Sequence, residues 1–209
     1  PLGIIPAYGQ GASGHRRIGP NNCYRFSYET GNASSAFNKC DHVFEDRFVF
    51  SRDQHFHLEP FVSVARYEGD VIEVWSSCQN PFPLRKELAR VFRHPENRIR
   101  VKVPYIGAGY GAKNNCKAEP LAILLAKLSG RPVRFCMTME ENFLTQCQHA
   151  AVLEIKSGVM DDGTFVARSG HILLNAGAYS DASPLVAEKA GYRLPGPYRW
   201  QHLDIDCDC

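Results

Sequence analysis

The 209 residues contain only three methionines and two tryptophans, no surplus of either charge and no long apolar run. With 24 basic and 22 acidic residues the net charge is +2, so there is no electrostatic case for a nucleic-acid or membrane partner. The longest apolar stretch, around "LAILLAKL", is far too short to span a bilayer. The eight cysteines (23, 40, 78, 116, 136, 147, 207, 209) form no Cys-x-x-Cys pair. Cys78, Cys116 and Cys136 sit in or beside apolar segments, where a free cysteine behaves as a small hydrophobe. Reduced thiols in a cytoplasmic protein are therefore expected. A zinc site from Cys40, His42 and the 207/209 pair is the alternative, although nothing in the spacing requires it.

What is present is ordinary for a folded protein: 44% hydrophobic and 22% charged residues argue against disorder. The length allows one large domain or two small lobes. "PLGIIPAYGQ" lacks an initiator Met and the form of a signal peptide, and "HLDIDCDC" stops on strand-like alternation without a turn or cap. The expectation is a piece of a longer protein.

Residues 1–22, rich in Gly and Pro and without periodicity, are expected to be a connecting arm, with residues 23–209 as the folded domain. "HVFEDRFVF" alternates as a strand, and "LEPFVSVARYEGDVIEVWSS" reads as a hairpin turning at "EGD". Leu84, Leu88, Val91 and Phe92 fall at helical spacing between Pro83 and Pro95. The strand "RIRVKV", a glycine loop, a helix through "LAILLAKL", the strand "PVRFCMT" and the helix "MEENFLTQ" follow. "AVLEIKSGVMDDGTFVARSGHILLN" is a second hairpin, and a helix around 183–190 precedes a last strand. Hairpins mixed with crossover helices predict an α+β two-layer sandwich with a mixed sheet, with room for two lobes.

The loop "GAGYGAK" at 107–113 lies between a strand and a helix. Gly107-x-Gly109-x-x-Ala112 fits the loose dinucleotide fingerprint, with Glu140 as the ribose-binding acid. Against this, Glu140 lies 33 residues past Gly107 where about 20 are expected, and Pro120 interrupts the helix that should start on the loop. A Walker A loop fails because Asn114 follows the lysine where Ser or Thr must hold magnesium. A plain tight turn is the remaining reading. His55 and His57, alternating with Phe56, would face one side of a strand as structural residues, and Glu59 before Pro60 would be a partly buried structural acid. Lys113 would be solvated or paired with a carboxylate.

The loop closely resembles the "GGGFGGK" loop of the xanthine dehydrogenase and aldehyde oxidase family, the molybdenum hydroxylases. "HFHLEP" at 55–60 is similar to that family's "HFYLE" or "HPLE" segment. "VWSSCQNPF" at 74–82 resembles its "STQ" strand end, with Gln79 on the glutamine. "HPENRIRV", "LAKLSGRPVR", "DDGTFVA" and "NAGAY" follow in the family's order, so the resemblance covers roughly residues 40–200. It implies the first molybdopterin-binding domain of the large subunit.

Such an enzyme hydroxylates an electron-poor carbon, of an aldehyde or an N-heterocycle, with water as oxygen donor. The resemblance implies a molybdenum–molybdopterin cofactor, in the simple or the cytosine-dinucleotide form, with iron–sulfur centres and FAD on partner domains or subunits. Gln79 would direct its amide at an oxo ligand, as both a catalytic and a cofactor-binding residue. Gly109, Tyr110 and Gly111 would bring main-chain N–H groups to the same ligands. Tyr110, in place of the family's Phe, would wall the substrate pocket with Asn114, which stands where purine-oxidising members carry a Glu. Ala108 and Ala112 replace family glycines, and a positive φ at either would cost about 1 kcal/mol or more. The family's general base lies in a "GxGE" segment, and its substrate-orienting arginine also follows this stretch, so the chain alone is expected to be inert. Two alternatives stand beside it: a non-catalytic relative acting in assembly or cofactor handling, and a nucleotide-dependent oxidoreductase.

Overall fold

The computed structural model describes residues 21–209. All but the last two residues of the expected arm lie outside this range. In chain order the elements begin with β1 (Arg25–Thr30), α1 (Ala33–Ala36), β2 (His42–Phe50), β3 (Val62–Glu68), β4 (Val71–Ser76), α2 (Pro81–Phe92) and β5 (Ile99–Lys102). They continue with α3 (Glu119–Ser129), β6 (Val133–Cys136), α4 (Met139–Thr145), β7 (Ala150–Val159), β8 (Phe165–Asn175), α5 (Ser183–Arg193) and β9 (His202–Asp208).

The expected α+β class with mixed pairing is what the structure shows, divided into two compact units that each carry a sheet. One unit holds residues 53–148 and the sheet β5-β4-β3-β6; the other holds the flanking segments and the sheet β1-β9-β8-β7-β2. Each sheet contains one parallel pair, β4/β5 in the first and β8/β9 in the second. Both pairs are joined through a helix, α2 and α5 respectively, because parallel neighbours need a long crossover.

The core of the 53–148 unit is made by Ala65, Ile72, Val74 and Ile99 from the sheet with Leu84 and Leu88 from α2 and Ala122, Ile123 and Ala126 from α3. Leu84 and Leu88 are the expected inner face of α2; Val91, expected with them, is half exposed, while Phe92 packs partly against the core. Each such leucine contributes about 1.5–3 kcal/mol by leaving water. Pro120 does not break α3 but stands in its first turn, where a missing N–H costs nothing, and Gly130 closes the helix at φ +65°. Residues 55–60 form no regular strand: Phe56 sits at φ +49°, which ends the extended run on which the two histidines were expected. His57 is buried there, its Nδ1 2.6 Å from the Glu59 carbonyl, in a structural role.

Of the three cysteines expected to act as small hydrophobes, Cys78 is buried in the core of the 53–148 unit and Cys116 packs against it, but Cys136 is exposed because it faces outward on the edge strand β6. In the other unit, Ile172, Leu174, Ala187, Cys207 and Cys209 form the main core. Among the described residues no group of three or more His, Cys, Asp or Glu gathers as a metal set, and no helix is long and apolar enough to cross a membrane.

Candidate cofactor site

Parallel pairing decides where the site lies. Trp75 of β4 stands opposite Lys102 of β5, so both strands run out at the same edge of the sheet. Beyond β4 the chain turns through Ser77 and Cys78 to Gln79; beyond β5 it enters the glycine loop. The two segments meet. The Gly111 N–H donates to Gln79 Oε1 at 3.0 Å and the Lys113 N–H donates to the same oxygen at 3.3 Å. In return the Gln79 N–H donates to the Lys113 carbonyl at 2.8 Å.

Gly109 is required by this contact. A Cβ on it would lie 2.8 Å from Gln79 Cδ and closer still to Oε1, inside any tolerable separation. A Cβ at Gly107 would likewise press on the Glu59 side chain. Gly111 has room for a Cβ, which would meet Asn114 Nδ2 at an ordinary 3.7 Å, but needs φ +95°. The two alanines that replace family glycines have different fates. Ala112 is fully buried and packs near Phe61 and Ala118, with no positive φ. Ala108 sits at φ +72°.

That conformation costs an alanine about 1–2 kcal/mol, whereas glycine's extra freedom in the unfolded chain costs about 0.5–1 kcal/mol. Ala108→Gly is therefore expected to stabilise the protein by about 0.5–1 kcal/mol, raising its melting temperature by about 1–4 °C in a thermal scan.

Gln79 uses its oxygen on the loop, and this orients the carboxamide. Two N–H donors on one side demand the acceptor end there, so Nε2 is turned away from the loop's amides. Among the described residues Nε2 has no acceptor, and the N–H groups of Gly109 and Tyr110 have none either. The donor set therefore differs in one member from the sequence expectation: Gly111 serves Gln79 rather than a ligand. What remains is an amide NH2 and two main-chain N–H groups, all neutral donors, suited to an oxygen-bearing group that accepts without proton exchange.

Tyr110, 72% exposed at φ +51°, stands at the tip of the loop rather than in a core. Asn114 is half-buried, its Oδ1 accepting from Asn80 Nδ2 at 3.1 Å. Of the five residues expected at the site, Gln79 and Tyr110 are exposed, Gly111 like Asn114 is half-buried, and Gly109 is buried beneath the Gln79 side chain. The 3₁₀ turn Ala112–Asn114 and residues 115–118 separate the loop from α3, so no helix N-terminus rests on the glycines as a dinucleotide fingerprint requires.

The pairings of two supports were not legible in the sequence. Lys113 is 2% exposed and its Nζ lies 2.5 Å from Glu59 Oε2, so it is the paired lysine and not a solvated one. Burial works to raise the Glu59 carboxyl, but the Lys113 ammonium, the Gly107 N–H and the Ser77 hydroxyl together hold it below the usual carboxylate range. Glu119, in the first turn of α3, accepts from Ser76 Oγ at 2.5 Å and from the Lys117 N–H at 2.9 Å. Ser76 Oγ in turn accepts from the Cys78 N–H at 3.1 Å, fixing the turn that carries Gln79. Burial, together with the nearby carboxylate of Glu119, pushes the Cys116 thiol well above its ordinary value, so it is inert.

The family model described as "Molybdopterin cofactor-binding domain" matches residues 15–209. The xanthine dehydrogenase molybdenum-binding subunit of Escherichia coli is 31% identical over 179 residues, covering 84% of this chain and 24% of that protein. Quinoline 2-oxidoreductase from Pseudomonas putida 86 superposes with a TM-score of 0.79 at 26% identity, covering 91% of this chain and 25% of the other. Aldehyde oxidoreductase from Desulfovibrio gigas superposes with a TM-score of 0.83 at 20% identity over 90% of this chain and 21% of the other, a likeness of fold. The chain spans about a quarter of the length of these relatives. With a family model running across both units and similar proteins in sequence and in fold, the chain belongs to the molybdopterin cofactor-binding domain family.

Proposed function

We propose that the chain forms part of the molybdenum-binding subunit of a hydroxylase that oxidises an aldehyde or an N-heterocycle, with water as the source of oxygen. The observation that carries this is the Gln79 carboxamide, fixed by two main-chain donors so that its NH2 faces away from the loop. The residues present fit a molybdenum–molybdopterin group: three neutral donors without acceptors, beside a glycine whose Cβ would fill the space Gln79 occupies. When bound, that group supplies the oxygen transfer and takes up the substrate's electrons.

The chain's own residues hold and orient. Gln79 Nε2 and the N–H groups of Gly109 and Tyr110 donate to oxygen without adding a charge that would shift the metal's potential. Tyr110 offers an exposed aromatic face to a planar substrate. Asn114, neutral and held by Asn80, gives no carboxylate to pair with a purine, which favours an aldehyde or another heterocycle. Iron–sulfur centres and FAD on partner domains or subunits, the pterin in its simple or cytosine-dinucleotide form and a cytoplasmic setting complete the proposal. The first of these is supported by the small share of its relatives that this chain covers.

Gln79→Ala in the complete enzyme is expected to lower turnover by about 10–100-fold while molybdenum and pterin remain bound, as for loss of a hydrogen-bond partner that orients a metal-bound group. Molybdenum and pterin analysis beside steady-state kinetics checks this, and an enzyme containing neither would defeat the assignment. The strained Ala108 favours a second reading, a relative that keeps the fold for assembly or cofactor handling without turnover. A complete protein that binds molybdopterin but oxidises no aldehyde or heterocycle would support it.

A further inference from the structure

We propose that the buried Lys113 and the partly buried Glu59 form a positioning pair that sets the glycine loop at its working distance from Gln79; this rests on the cofactor role proposed above. Lys113 is fastened to Gln79 through its main chain, donating to Oε1 and accepting from the Gln79 N–H. Its side chain leads elsewhere, to Glu59 Oε2 at 2.5 Å. The same carboxylate oxygen accepts from the Gly107 N–H at 2.8 Å. Both ends of the segment 107–113 are thereby drawn to one atom, and the far end carries Gln79 with it.

The chemistry of the pair argues for positioning over bulk stability. An ammonium at 2% exposure loses its hydration, and pairing recovers that loss only when the geometry is good; an apolar pair of similar volume is often no less stable. What the ion pair adds is direction. Charge-assisted bonds are short and fixed, so the loop cannot slide along the Glu59 side chain as it could over packed methyl groups. Gly107 reinforces this, because a Cβ there would press on Glu59 and push the carboxylate out of reach. The pair's role is to position and not to touch substrate. It acts through the seat it gives to Gln79 and to the Gly109 and Tyr110 donors.

The test uses the complete, cofactor-loaded enzyme carrying Glu59→Gln, Lys113→Met, Gln79→Ala, and Glu59→Gln combined with Gln79→Ala. Molybdenum content per subunit, the Mo(V) electron paramagnetic resonance spectrum and kcat per bound molybdenum are read for each. Glu59→Gln, which keeps the shape and an acceptor for Gly107, is expected to lower kcat per molybdenum about tenfold with KM little changed. It should alter the spectrum in the same sense as Gln79→Ala. In the Gln79→Ala background it should add less than about twofold, since its effect passes through Gln79. Full kcat with an unchanged spectrum and only a lower melting temperature would reduce the pair to a structural prop and overturn the proposal. Fold-changes that multiply in the double variant would overturn it equally. If Lys113→Met does not accumulate, Glu59→Gln decides alone. Absence of molybdenum from the unmutated enzyme would instead remove the functional reading on which the pair's role stands, and it is seen before any variant is made.

Discussion

Replacing Gly109 by alanine is expected to reduce turnover of the complete enzyme by about 100-fold or more, the penalty typical of a displacement of about 1 Å at a reacting centre. The added Cβ would stand 2.8 Å from Gln79 Cδ, so either the loop withdraws or the carboxamide swings away. Both movements break the bonds from the Gly111 and Lys113 N–H groups to Oε1, and with them the orientation of Nε2. Gly111→Ala provides the contrast. It has room for a methyl but not for its φ of +95°, so it should cost about 1–2 kcal/mol of stability while leaving Gln79 in contact with the loop. Turnover per bound molybdenum separates the two variants, with Gly109→Ala far the lower. Equal activity in both would show that the Gln79 contact has no part in turnover.

Glu119→Ala is expected to destabilise the 53–148 unit by about 2–4 kcal/mol, because it leaves buried donors without an acceptor. Glu119 is 5% exposed and serves Ser76 Oγ and the Lys117 N–H at once. Ser76 is itself the acceptor for Cys78, so the loss propagates to the turn before Gln79. Glu119→Gln retains an acceptor in the same volume and should cost about 1 kcal/mol. Denaturant midpoints of the two variants check the difference, which vanishes if Glu119 is only a solvated residue of the first helical turn.

Much of the fold could be read from the residues because its signals are local. Alternation located β2, β3, β4, β7 and β8, and the turns at "EGD" and "DDG" joined their hairpins. The apolar stretch "LAILLAKL" located α3. The division into two sheets could not be read, since it depends on pairings such as β2 with β7 and β1 with β9 that join residues more than a hundred positions apart. The short α1 was also missed: four residues, with Asn32 as cap, carry no period. At the site, the identity of Gln79 and the loop came from a resemblance in motif order. Their contact is a consequence of the parallel β4/β5 pair. Lys113 with Glu59 and Glu119 with Ser76 lie 54 and 43 residues apart, and no single-residue pattern announces such a pair.

The orientation of Gln79 is tested most directly by an experimental structure of the complete enzyme with its cofactor bound. Gln79 Nε2 should lie within hydrogen-bond reach of an oxygen of the cofactor while Oε1 still accepts from the Gly111 and Lys113 N–H groups. A cofactor seated away from Gln79, or a carboxamide released from the loop's amides in the active enzyme, would contradict this.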